Sequence, residues 1–371
     1  MATFPLFGYS GLMDPVAPTD PPAPASSAAP PSSSPTPVSD DGSVRYEPTV
    51  TDISRDPHSE STARNLHYAF RTPSILLVLS AISVFVAGCC QWMPHAVLIA
   101  SLYRTRTRHW YEFDVDFHPL RMAIISEWQT GLAFMASLLG ILLAHEMGHF
   151  VYTVLYRVRA TLPLVIPFPL SPIGTMGAVI AMEPGKANRR EIFDIGIAGP
   201  LAGLVVAIPV LWYGITLFDP QLIGSAPFGI RPPPALDWWL AATYPGQWEA
   251  GSVIWIDQVN PFLMAGWTGL FFTGLNMFPV GQLDGGHITY CLFGRRAHWL
   301  ARGLMVLSFA YMAYSGNTAL ILMAMLVMLM GTDHPPTADD SVPLGWPRYL
   351  LGLASLILPI VCLTPEFMVI R

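Results

Sequence analysis

Residues 131–155 read GLAFMASLLGILLAHEMGHFVYTVL, a run without Lys, Arg or Asp and with Glu146 as its one acidic residue. At a rise of about 1.5 Å per residue, a helix of this length crosses the roughly 30 Å hydrocarbon core of a bilayer. Inside it stands His145-Glu146-Met147-Gly148-His149. Positions i and i+4 project from one helix face, so both imidazoles can reach one metal ion. Glu146, one residue on, is placed to polarise a metal-bound water. Ionisable groups near a bilayer centre cost roughly 2.5–3.5 kcal/mol each on the insertion scale, so they stand there for chemistry. A zinc-hydrolysis motif in such a helix points to peptide hydrolysis within or near the membrane.

Composition agrees with the membrane setting. The chain has 371 residues, 52% hydrophobic and 12% charged, with a net charge of −6. Its mean hydropathy is +0.45. Soluble domains carry about 25% charged residues, so a multi-pass membrane protein is expected. No basic cluster and no C-x-x-C pair suggests nucleic acid. Cys89, Cys90, Cys291 and Cys362 lack zinc-ligand spacing and read as small buried apolar residues.

Residues 1–66 are dominated by Pro, Ala, Ser, Thr and Asp and are expected to be a disordered tail. They lack the basic start and apolar core of a secretory signal. Residues 67–371 form the expected membrane domain. Apolar segments follow at 72–93, 121–156, 192–218 and 262–279. Residues 303–330 read as two short helices broken at Ser315-Gly316-Asn317, and 349–363 as the last segment. The fold expected is an all-α polytopic membrane protein of about seven spans. Arg157, Arg159, Lys186, Arg189, Arg190, Arg295 and Arg296 fall on one side if the spans alternate. That places the HEMGH motif toward the cytoplasmic face. Arg104, Arg106 and Arg108 run against this orientation.

A catalytic zinc takes three protein ligands and a water, so the two histidines need a partner. Asp284, in the stretch Asn276-Met277-Phe278-Pro279-Val280-Gly281-Gln282-Leu283-Asp284-Gly285-Gly286, is the best intramembrane candidate. Pro279 and the glycines break the helix there, and irregular backbone at membrane depth is tolerated where it lines a wet cavity. An aspartate before Gly-Gly is also an ordinary turn residue, but its pairing with HEMGH favours ligation. His287 fits either a supporting partner of the site or a simple interfacial histidine. Gly199 and Gly203 form a small-x-x-x-small pair that helix packing explains. Met323, Met325, Met328 and Met330 read as packing.

These motifs resemble the site-2 protease family of intramembrane zinc metalloproteases, in the branch without an inserted PDZ domain. HEMGH at 145–149, the N-x-x-P-x-x-x-L-D-G-G pattern at 276–286 and the stretch FDIGIAGPLAG at 193–203 carry the resemblance, which covers about residues 120–300. It implies one zinc ion held by His145, His149 and Asp284, with Glu146 as general base and later proton donor. It associates Asn276 with substrate handling. It implies single-span membrane-protein substrates, cleaved in regulated intramembrane proteolysis. The branch has bacterial and plastid members, so the expected location is a bacterial cytoplasmic membrane, with a plastid membrane as the alternative. Residues 220–260 lie outside the shared pattern.

Hydrolysis of a membrane helix requires unwinding it, because its peptide bonds are closed in its own hydrogen bonds. Pro163, Pro167, Pro169 and Pro172, followed by the glycine-punctuated residues 173–182, predict a small re-entrant β element that could hold an unwound strand. A non-proteolytic zinc-binding adaptor would need no Glu146. A metal transporter predicts several ion sites and inverted repeats, and neither is legible.

Overall fold

The computed structural model describes residues 57–103, 116–182, 184–315, 334, 336–364 and 366–371. Residues 1–56 of the expected tail, the arginines at 104–108, the turn at 316–317 and Met323–Met330 therefore lie outside the described residues. Helix α1 (Pro57–Cys89) begins within the segment read as tail. Helices α2 (Pro94–Tyr103) and α3 (His118–Leu155) follow. Strands β1 (Leu164–Pro167) and β2 (Thr175–Val179) come next, then α4 (Arg189–Thr216). After β3 (Phe228–Ile230), α5 (Pro234–Thr243) and β4 (Ile254–Trp255) come α6 (Pro261–Asn276) and α7 (Asp284–Phe293). Helices α8 (Ala297–Ser315), α9 (Trp346–Ser355) and α10 (Leu358–Cys362) and strand β5 (Met368–Ile370) complete the chain.

The protein is mostly helical. Among the described residues, three helices are long and apolar enough to cross a membrane: Arg71–Cys89, His118–Leu155 and Arg189–Thr216. The fourth apolar segment forms α6, whose 16 residues give a rod of about 24 Å, short of the hydrocarbon thickness. The last segment is two short helices, since α9 stops at Ser355 and α10 starts again one residue before Pro359.

Three features set α3 and α4 in place. Helix α3 kinks at Glu127, whose backbone leaves the helical region (φ −117°, ψ 19°). Just beyond, a side chain at Gly131 would run into the Phe85 carbonyl, so its hydrogen lets α3 approach α1. The N-terminus of α4 is closed by a capping box: Asn188 accepts from the Arg190 and Glu191 amides, and the Glu191 carboxylate accepts from the Asn188 amide at 2.9 Å. Helices α3 and α4 run antiparallel, Gly148 lying against Ala198 and Ala202, His149 against Gly199, and His145 against Gly203.

The stretch read as a β element is an antiparallel hairpin, β1 with β2, carrying a register irregularity between Val165 and Pro167. Ser80 and Ser83 of α1 donate to the Val165 and Gly174 carbonyls at 2.9 and 2.6 Å and fasten it to the bundle. A second sheet, ordered β4-β3-β5, joins residues 228–230 and 254–255 to the C-terminal strand. One apolar core lies among α3, α4, α6 and the 219–261 segment. Another surrounds the first turns of α4 and α7. All four cysteines are buried and free.

Candidate active site

The HEMGH helix packs into the first of these cores through Leu138, Leu139 and Leu142. His145, Glu146 and His149 are buried at 5%, 4% and 5% exposure. Asp284 reaches them from the first position of α7. It gets there because residues 277–283 fold back on themselves, with Gly281 at φ +59° and Val280 N–H on the Phe278 carbonyl. Side chains at Gly285 or Gly286 would strike the Met277 or Gly281 carbonyls, so the Gly-Gly pair lets α7 start against that loop.

The resulting geometry is tight. Nε2 of His145 lies 3.1 Å from Oδ2 of Asp284. Nε2 of His149 lies 3.3 Å from Oδ1 of Asp284 and 3.2 Å from Nε2 of His145. A zinc tetrahedron with bonds of about 2.0–2.1 Å has edges of about 3.3–3.4 Å, so these three donors occupy one face of such a tetrahedron within a few tenths of an ångström. Two imidazoles and a carboxylate are also the donor types of a catalytic zinc. Among the described residues, His145, His149 and Asp284 form the one group able to hold a metal ion in this way.

The remaining ring nitrogen of His149 is also placed. Nδ1 donates to the Ile195 carbonyl at 2.8 Å, which leaves Nε2 with its lone pair facing the cluster. That contact depends on α4. Ile195 is four residues before Gly199, and a methyl group on Gly199 would overlap the His149 ring. The bare backbone opens the lane through which the imidazole reaches the carbonyl. Gly203 likewise faces His145. The small-residue pair is packing, as its spacing predicts, and what it packs against are the two histidines.

Glu146 stands beside His145, His149 and Asp284, and no described group hydrogen-bonds its carboxylate. It is free to take a proton. Asn276, the last residue of α6, lies with Nδ2 3.2 Å from Nε2 of His145 and so stands on the rim of the cluster. His287 is buried one turn after Asp284 and pairs with His334, Nδ1 to Nε2 at 2.5 Å. His334 in turn stacks on Tyr290 at 4.4 Å. Among the described residues His287 hydrogen-bonds none of the three clustered side chains, so it supports α7 rather than a ligand.

Sequence reasoning did not find Ile195, whose role is carried by its backbone, nor His334. It also passed over Asp194. An ionisable residue inside an apolar span was the available signal there. Asp194 accepts from Tyr156 O–H at 2.6 Å and from Arg348 Nε and Nη2 at 2.7 and 2.9 Å.

The chain is similar to known zinc metalloproteases. The family model "Peptidase family M50" matches residues 133–324, from α3 through the second motif and beyond. The chain is 30% identical over 257 residues to "Probable zinc metalloprotease EGY1, chloroplastic" of Arabidopsis thaliana, covering 64% of this chain and 43% of that protein. It is 29% identical over 310 residues to the protein of the same name in Oryza sativa subsp. japonica, covering 78% and 50%. With "Probable zinc metalloprotease EGY2, chloroplastic" of Arabidopsis thaliana the identity is 24% over 259 residues, 66% and 43% of the two chains. The chain thus spans about half the length of the curated relatives it matches.

Proposed function

The chain belongs to peptidase family M50, and from that premise we propose that it is a zinc-dependent intramembrane endopeptidase acting on single membrane-spanning segments of other proteins. The observation that carries the reading is the convergence of His145, His149 and Asp284, donor atoms 3.1–3.3 Å apart, beside a Glu146 that no described group hydrogen-bonds, on a membrane-length helix. In this reading those three side chains hold the zinc. When bound, the ion supplies Lewis acidity toward a carbonyl oxygen and lowers the pKa of water. The protein does the rest. The Ile195 carbonyl fixes the tautomer of His149. Glu146 takes the proton of the attacking water and passes it to the leaving amine. Asn276, beside His145, positions the substrate backbone at the rim.

The hairpin serves the unwound substrate. Met176 and Val179 of β2 are half exposed, and a strand laid along the hairpin would satisfy its backbone groups there. The hairpin is read as re-entrant, and the full protein as having about seven spans, with the metal centre toward the cytoplasmic or stromal face. The chloroplastic names of the relatives support the plastid alternative of the two expected membranes.

Glu146→Gln tests the reading. In reconstituted protein it should retain zinc and lose cleavage of single-span substrates by about 10²–10⁴-fold, the range for a lost general base. Asp284→Ala should lose the metal. Cleavage at the wild-type rate in Glu146→Gln would sink the role of Glu146. Full zinc occupancy in Asp284→Ala would sink the ligand set.

A further inference from the structure

A buried carboxylate beside the metal centre is paired with a half-exposed arginine, which comes from beyond the residues the family model matches. Asp194, 8% exposed, sits on α4 immediately before Ile195. Both its oxygens are gripped by Arg348 of α9, Nε at 2.7 Å and Nη2 at 2.9 Å, the bidentate fork that arginine alone offers. Tyr156, at the C-terminal end of the HEMGH helix, donates to the same carboxylate at 2.6 Å. The next residue along α4, Ile195, presents its carbonyl to His149 Nδ1 at 2.8 Å. Helix α9 is pressed onto this turn of α4 as well, since a side chain at Gly352 would strike the Phe193 ring. The family match ends at residue 324, so Arg348 lies outside the part of the chain that defines the family.

We propose that Arg348 is a positioning residue for the metal centre: by gripping Asp194 it fixes the turn of α4 that presents the Ile195 carbonyl to His149. A helix turn can rotate or slide a few tenths of an ångström against its neighbours. A carboxylate held at once from α9 and from the end of α3 resists both movements. The partner that orients a metal-binding imidazole typically accounts for a 10–100-fold change in metal affinity. The inference rests on the reading of His149 as a zinc ligand.

The test uses the full chain in detergent or liposomes, loaded with zinc and challenged with a chromogenic chelator while thermal unfolding is followed in parallel. Arg348→Met should release zinc about 10-fold faster than wild type. Arg348→Lys, which keeps the charge but donates from a single point, should fall between the two. The decisive variant is Arg348→Met with Asp194→Asn. It removes the uncompensated buried charge, so its unfolding temperature should return toward wild type. If the clamp orients His149, its zinc release stays fast, because the arginine grip on residue 194 is gone and only the Gly352 packing against Phe193 joins α9 to this turn. Zinc release that recovers together with stability would overturn the proposal and leave a purely structural ion pair. So would wild-type zinc release in Arg348→Met, provided that His149→Ala loses its zinc. Zinc held at wild-type affinity by His149→Ala would overturn the ligand reading, and the clamp with it.

Discussion

At the residue scale the proposed metal centre depends as much on missing side chains as on His145, His149 and Asp284. Gly199 and Gly203 sit under the two histidines, but not equally. A methyl group at Gly199 would overlap the His149 ring, whereas one at Gly203 would stand 3.2 Å from Cβ and Nδ1 of His145, a distance a small shift relieves. Overpacking of this kind costs about 1–3 kcal/mol, and here the group that must yield is the His149 ring. Gly199→Ala should therefore lose zinc and activity while keeping its helix content, and Gly203→Ala should lose much less. Zinc content against circular dichroism checks this, and equal effects of the two substitutions would contradict it. The residues of the cluster stood out because each broke a rule of its surroundings: two histidines and a glutamate inside an apolar helix, and an aspartate in a glycine-broken loop at a span's end. The glycines were legible as packing, but what they pack against follows from which helices are neighbours. For Asp194 the partner stands 154 residues away, at Arg348, in a segment with no motif of its own.

At the scale of elements, α4 carries the heaviest duty, since it supplies the Ile195 carbonyl, the glycine windows and Asp194. Its start is set by Asn188, whose side chain accepts from the Arg190 and Glu191 amides at 3.0 and 3.1 Å. Losing such a cap costs about 1 kcal/mol. Asn188→Ala should lower the unfolding temperature by a few degrees while Asn188→Asp should hold it, and a drop shared by both would point to something other than the cap. Element types followed well from local sequence. Four prolines and then two glycines in residues 163–182 excluded a helix and gave the hairpin. Lengths followed less well: α6 ends at Asn276 because the loop that delivers Asp284 must begin there, and Pro359 divides the last apolar run. The sheet of residues 219–261 was not legible at all. Its middle strand pairs Phe228 with Ile370 and Ile230 with Met368, and nothing near either stretch announces a partner so far along the chain.

At the scale of the whole molecule, residues 336–364 and 366–371 run past the proposed centre from one end of α4 to the other. Near its start they bond the amide of Arg189 through the Asp339 carbonyl. Near its end they add β5 to the sheet, where Arg371 lies 4.1 Å over the Trp255 ring. Gly199 marks the metal centre about 15 Å from Arg189 along α4 and about 25 Å from Thr216, so the strap passes both faces of the bundle. Two carboxylates outside the membrane-length helices mark these regions, Asp340 within the strap and Asp257 within the segment whose sheet β5 joins. Asp340 accepts from Thr337 and Tyr290 hydroxyls at 2.6 and 2.8 Å. Asp257 accepts from the Ser225 amide and hydroxyl and the Ala226 amide at 2.6, 2.7 and 3.2 Å. For both, which are exposed, slight desolvation opposes ionisation, and the donors outweigh it and hold the carboxyl below its ordinary value. A carboxyl depressed in the folded state gives stability that is present above the unfolded value, about 3.9, and is lost as pH falls through the folded one. The unfolding temperature should thus stay level from pH 7 to about 5 and fall below about pH 4. Metal binding is itself pH-dependent, so the informative quantity is a difference. Asp257→Asn with Asp340→Asn should begin less stable than wild type at pH 7, and the gap should close as the pH drops. A gap that stays constant from pH 7 to pH 3 would show that neither carboxylate stabilises the fold through its charge.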